Sequence, residues 1–113
     1  MKELIIKTKK DKEVVDITEN IQKIIDQEKI NSGIINVFIT HTTAALSTAD
    51  LDPGTDKDML DAFDHIIPDL DYRHPHNPEH VPDHIISTLI GSHVSVPVKS
   101  GSLILGTWQR IVL

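Results

Sequence analysis

The 113-residue sequence carries a formal net charge of −6, and its length suits one compact domain, because two separate cores would each be too small. It contains no cysteine, which excludes disulfides, thiolate nucleophiles and cysteine-held zinc or iron–sulfur centres, so any metal must be held by imidazole, carboxylate or water. The lysines are scattered and the acids outnumber them, which argues against a nucleic-acid or anionic-membrane surface, since both need clustered Lys and Arg.

The opening MKELIIKTKKDKE has a three-residue apolar run before charge returns, too short for a signal peptide or a membrane span. The expectation is a soluble, cytoplasmic protein. Residues 4–7 and 14–17 read as two short strands joined by the polar turn KTKKDK. TENIQKIIDQEKI then sets Ile21, Ile24, Ile25 and Ile30 at near-helical spacing, with Thr18 as the expected N-cap and Asn31-Ser32-Gly33 as the stop. IINVFIT is a β-branched run apolar enough to be expected in a central strand.

HTTAALSTADLDPGT is loop-like and leads into a second helix, TDKDMLDAFDHI, capped by Thr55, ended by Pro68 and apolar along Met59, Leu60, Phe63, Ile66 and Ile67. Residues 69–81 have no apolar period. A third helix is expected to start near Pro82 and run to Gly91. HVSVPV and SLILGTWQRIVL read as two long strands of a hairpin turning at Lys99-Ser100-Gly101. The order of strands and helices predicts a single-domain α+β fold over residues 1–113, with largely antiparallel sheets and about three packed helices.

Three polar clusters could carry chemistry. His41-Thr42-Thr43 follows the apolar strand, where loops build sites. Taken alone, it is more simply a strand-end turn with His41 half-buried and hydrogen-bonded. The second cluster, DLDPGTDKD, offers Asp50, Asp52, Asp56 and Asp58, and alternating carboxylates suit a hard cation. Counted from Asp50, the sixth position is Thr55 rather than the Gly of an EF-hand loop. Asp56 and Asp58 also sit where a helix dipole favours acids, so Asp52 and Asp56 are the stronger candidates.

The third cluster is RHPHNPEHVPDHII, with His74, His76, His80 and His84. His80 and His84 have the i,i+4 spacing of paired metal ligands. Pro82 lies between them and marks a helix start, which assigns His84 to the first helical turn and His80 to the preceding loop. His84 then lies beside free helix N–H groups, where an imidazole suits metal or phosphate.

HTTAAL, the DP pair, YRH, DHI and GTWQ, in this order across nearly the whole chain, resemble the YjbQ family. The resemblance implies a β-sandwich-like α+β fold assembled as a homotrimer, with a histidine-lined, metal-binding cleft near subunit boundaries. It also implies a weak, secondary thiamine-phosphate synthase activity, which joins a pyrimidine pyrophosphate to a thiazole phosphate with loss of pyrophosphate. The family's recurring positions fall on His41, Thr42, Thr43, Asp52, Asp56, His74 and His84, and on Gly106, Thr107, Trp108 and Gln109. His76 and His80 are not among them.

Two departures stand out. Many members carry Asn-Glu after HTTAAL, where this chain has Ser47-Thr48, so Asp50 is the nearest replacement carboxylate. Members also usually continue with an acidic Gly-Pro-Arg tail past the last strand, and this sequence stops at Leu113.

The resulting expectation is an enzyme of a phosphorylated small molecule with His41, His74 and His84 on a divalent ion, zinc or another transition metal, with Mg²⁺ as the alternative. His41, Asp52 and Asp56 are the candidate catalytic residues. Thr42, Thr43, His84, Thr107 and Gln109 are the candidate ligand contacts, while Trp108 in a closing strand is expected to pack in the core. The alternative is a non-catalytic protein that captures a metal or metabolite in the same cleft.

Overall fold

The computed structural model describes residues 1–113. Helix α1, Thr18–Gln27, buries Ile21 and Ile25, four residues apart on one face, together with Thr18 in its first turn. Its N-terminus is held differently from the expectation: Thr18 is already helical. Asp16 does the capping, its Oδ1 accepting the Thr18 N–H at 3.0 Å and the Thr18 hydroxyl at 2.7 Å. The helix stops before Asn31 through Lys29, whose φ is 52°, with Lys29 N–H on the Asp26 carbonyl and Ile30 N–H on the Ile25 carbonyl. That is a Schellman ending with lysine in the left-handed position glycine usually takes, so no glycine announced it.

Strand β1, Gly33–Phe38, pairs antiparallel with β3, His93–Lys99, and β3 pairs with β4, Ser102–Leu103. Ser100 and Gly101 form the two-residue turn between β3 and β4, with φ of 51° and 77°, the two positive values a type I′ hairpin requires. The sheet order β1-β3-β4 makes β1 an edge strand, with Ile34 and Phe38 exposed. The expectation of a central strand is therefore corrected: apolar, β-branched content favours a strand but does not say on how many sides it is paired or covered.

A second sheet pairs β2, Ser47–Ala49, with β5, Arg110–Val112. Residues 15–17 run along β5 through Val15 N–H on the Leu113 carbonyl at 2.7 Å and Ile17 N–H on the Ile111 carbonyl at 2.9 Å. The predicted hairpin between residues 4–7 and 14–17 does not form, and 4–7 has no strand at all. Pairing with the C-terminus instead buries Ile17 in the core.

The core consists of Ile17, Ile21 and Ile25 against Val96 and Val98 of β3, Ile111 of β5, and Leu46 before β2. Helix α2, Thr55–Ile66, lies outside it with no fully buried residue, and its N-cap position is Gly54 rather than Thr55. A 3-10 turn, Pro78–His80, feeds directly into α3, Val81–Ile90, with Pro82 in the first turn as its fixed φ favours. The long C-terminal strand predicted through GTWQ is broken there, so β4 and β5 belong to different sheets. These three helices and antiparallel sheets are the predicted α+β architecture. No helix is long and apolar enough to cross a membrane.

Candidate functional site

The loop after β1 runs along α3, and this packing assembles the site. His84 donates its Nδ1–H to the Thr42 main-chain carbonyl at 3.0 Å, joining residues 42 apart in sequence. The His74 ring stacks on His84, with centroids 5.3 Å apart and planes 10° from parallel. His41, adjacent to Thr42, is exposed rather than half-buried. Its Nδ1 accepts the Thr43 N–H at 3.1 Å and lies 3.0 Å from the Thr43 hydroxyl. A loop histidine and a helix-start histidine are thus in contact, and His41 is the chain neighbour of the residue that holds His84.

The hydrogen bonds also set their protonation. A carbonyl can only accept, so neutral His84 keeps its proton on Nδ1 and its lone pair on Nε2. That is the orientation of a metal-ligating imidazole or of a base. His74 is reversed: its Nδ1 accepts the Asn77 N–H at 3.2 Å and the His76 N–H at 3.4 Å. Neutral His74 and His41 therefore carry their protons on Nε2. Tested against a metal, the set fits in kind, but only His84 is turned as a ligand. Within one chain no three His, Asp or Glu groups converge to hold an ion.

The acidic candidates are used locally. Asp50 Oδ1 accepts the Asp52 N–H at 2.9 Å, and the Asp52 carbonyl accepts the Thr55 N–H at 2.9 Å, so DLDPGT is a turn leading into α2. Asp56 lies in the first turn of α2, where the dipole stabilises it. No hydrogen bond links Asp52 or Asp56 to an imidazole.

GTWQ is a turn rather than part of the predicted strand, so Thr107 and Gln109 do not face away from Trp108 as they would along one. The Gln109 amide closes the turn by accepting the Gly106 N–H at 2.9 Å and ties it to β2 by donating to the Thr48 hydroxyl at 3.0 Å. Thr107 is exposed and makes no side-chain hydrogen bond. Trp108 is 69% exposed instead of buried in the core.

A family model described as UPF0047 protein YjbQ-like matches residues 2–113. The chain belongs to the YjbQ/UPF0047 family. It is 36% identical over 111 residues to a UPF0047 protein of Archaeoglobus fulgidus, covering 97% of this chain and 86% of that one. It is 37% identical over 112 residues to the UPF0047 protein YugU of Bacillus subtilis, covering 98% and 85%. Among solved structures, a YjbQ/UPF0047-family protein of Clostridium acetobutylicum superposes with a TM-score of 0.85 at 35% identity, covering 95% of this chain and 83% of that one. A YbjQ-like protein of Sulfolobus solfataricus does so with a TM-score of 0.87 at 30% identity, covering 95% and 78%. Sequence identity at this level over this span carries the YjbQ fold to the whole chain.

Sequence reasoning passed over Ser87, which supports the loop, and Lys12, which ties α2 to α3. Ser87 Oγ donates to the Ala44 carbonyl at 2.6 Å, and Lys12 Nζ lies 3.0 Å from Asp64 and 3.7 Å from Asp83, the neighbour of His84. The Asp64 hydrogen bond raises the Lys12 pKa against a smaller opposing effect of burial. Neither residue sits in a motif, so only tertiary contact identifies them. An open groove of about 370 Å³ near Lys12, Phe63 and Ile86, and a second of about 320 Å³ near Asp69, Asp71 and Tyr72, flank α3 without including any histidine.

Proposed function

We propose that this chain is a metal-dependent enzyme acting on a phosphorylated small molecule, with a thiamine-phosphate synthase-like transfer as its candidate reaction. The observation that carries the reading is the His84–Thr42 hydrogen bond with His74 stacked on the same ring. It supports His84 as the first ligand of a divalent transition metal, zinc in the simplest case, with His41 and His74 joining when their Nδ1 atoms are released from backbone N–H groups. When bound, such an ion neutralises charge developing on a pyrophosphate leaving group. The chain's own part is to orient substrate through Thr42 and Thr43, and through Asp52 and Asp56 at the start of α2.

The working unit proposed is a homotrimer. Only 10 of 113 residues are buried, and the radius of gyration is 15.7 Å, against about 13 Å for a compact domain of this length. The exposed Ile34, Phe38, Ile104 and Trp108 add apolar surface for neighbouring copies to cover. A second reading, a non-catalytic metal- or metabolite-binding protein, is favoured by the openness of the histidine surface. Metal-reconstituted protein incubated with the pyrimidine pyrophosphate and the thiazole phosphate separates the two. Product above that of a His41→Ala/His84→Ala control supports the enzyme, and product equal to the control rejects it.

A further inference from the structure

Ser87 interrupts the apolar run of α3, and nothing in the sequence motifs uses it. A serine or threonine inside a helix commonly turns its hydroxyl back to the carbonyl four residues earlier, as Thr88 does to His84 at 3.0 Å. Ser87 does not. Its hydroxyl reaches the Ala44 carbonyl, 43 residues away, at 2.6 Å. It is 6% exposed and, with Thr18, one of only two buried polar residues.

Its bond is the middle one of three. Residues 42, 44 and 46 are spaced two apart along a loop that bends at 42 and 43, and residues 84, 87 and 91 share one side at helical spacing. The two segments meet where His84 donates to the Thr42 carbonyl at 3.0 Å, where Ser87 donates to the Ala44 carbonyl, and where Leu46 N–H donates to the Gly91 carbonyl at 3.0 Å. Leu46 is itself in the core, so the far end of the loop is anchored by packing. The near end is held at Ile39, whose N–H donates to the Ser92 carbonyl at 2.8 Å, and between these anchors residues 41–43 are exposed.

We infer that Ser87 is a positioning residue for His84: by pinning the Ala44 carbonyl it holds the Thr42 carbonyl at His84 Nδ1. This keeps the proton on Nδ1 and presents the Nε2 lone pair to a ligand. The functional consequence rests on the role proposed above for His84, whereas the positioning itself stands on geometry alone. The acceptor behind a ligating imidazole is worth about 10–100-fold in metal affinity when it is lost.

The test uses full-length ¹⁵N-labelled protein at a pH where imidazoles are neutral, with long-range ¹H–¹⁵N spectra reporting each histidine tautomer. Wild type is expected to hold His84 in the Nδ1–H form. Ser87→Ala, and Ser87→Cys, which keeps the packing but donates weakly, are expected to populate the Nε2–H form of His84. His65, whose Nδ1 lies 2.8 Å from the Asp61 carbonyl within α2, should not change. Val98→Ala, which cuts the core in β3, should destabilise the fold and leave His84 unchanged.

A His84 tautomer that is the same in wild type and both Ser87 variants, or that shifts equally in Val98→Ala, overturns the inference. Titration of chelator-treated protein with Zn²⁺ should show at least about tenfold weaker uptake by Ser87→Ala. Absence of zinc uptake by wild type would sink the metal reading, while the tautomer spectra still decide the role of Ser87.

Discussion

His74 and His84 stack face to face at 5.3 Å, although one belongs to a proline-rich loop and the other to the first turn of α3. The other two histidines of the stretch are engaged elsewhere. His80 lies 3.4 Å from Asp83, and His76 meets His74 only edge-on at 6.4 Å. The four-histidine run therefore divides into one pair at the candidate site and two neighbours.

That division predicts a difference between variants. Added Zn²⁺ should raise the melting temperature of wild type, since a ligand at a hundredfold excess over its Kd stabilises by about 2.7 kcal/mol. His84→Ala and His74→Ala should lose this gain, and His80→Ala should keep it. Scanning calorimetry with and without metal reads the outcome, and equal gains in all four proteins would remove the pair from the site.

Thr18 is expected to be a stability residue out of proportion to its size. Its hydroxyl donates to Asp16 at 2.7 Å and accepts the Ile111 N–H at 2.8 Å, with the residue 5% exposed. Thr18→Val keeps the shape but leaves the Ile111 N–H without its partner, at a cost of about 1–3 kcal/mol. Urea unfolding should show this as a lower midpoint at unchanged slope.

Asp16 makes stability depend on acid. Burial alone would push its carboxyl up, but hydrogen bonds from the Thr18 hydroxyl and N–H and from Arg110, together with the Arg110 charge, outweigh it and leave the pKa below the usual carboxylate value. The folded state therefore holds its proton less tightly than the unfolded state. The stabilisation is complete above the unfolded value, about 4, and disappears as pH falls through the lower folded value. Melting curves taken downward from pH 6 should fall more steeply for wild type than for Asp16→Asn, and parallel slopes would exclude the carboxyl as the source.

Trp108 is the only tryptophan and reports on assembly directly. With 69% of it exposed in one chain, a monomer should emit at long wavelength and be readily quenched by acrylamide. A homotrimer covering GTWQ should shift the emission to the blue and protect it, with the change reversing on dilution. Sedimentation at the same concentrations identifies the species, and a persistent monomer would overturn the trimer.

Much of the fold was readable because local physics wrote it. Ile21 and Ile25 face one way because a helix repeats every 3.6 residues, and Lys99-Ser100-Gly101 turns because glycine tolerates positive φ. The candidate histidines could be named from the sequence, but their arrangement could not. HTT, YRH and DHI pointed to His41, His74 and His84, whereas the direction of each ring depends on whether Nδ1 meets a carbonyl or an N–H. That partner lies on the main chain, which no residue identity specifies.

The sequence by itself determined the helices, the α+β class and the absence of thiol chemistry, while His80, expected in a loop, sits in a 3-10 turn that runs straight into α3. Tertiary structure alone decided that residues 15–17 pair with the C-terminus, that GTWQ is a turn exposing Trp108, and that α3 clamps the loop through Ser87. The division has one cause. Helices and tight turns are selected by neighbours within about four residues, while strand partners and buried hydrogen bonds are chosen among segments far apart in sequence, by which apolar surfaces and polar groups they satisfy together.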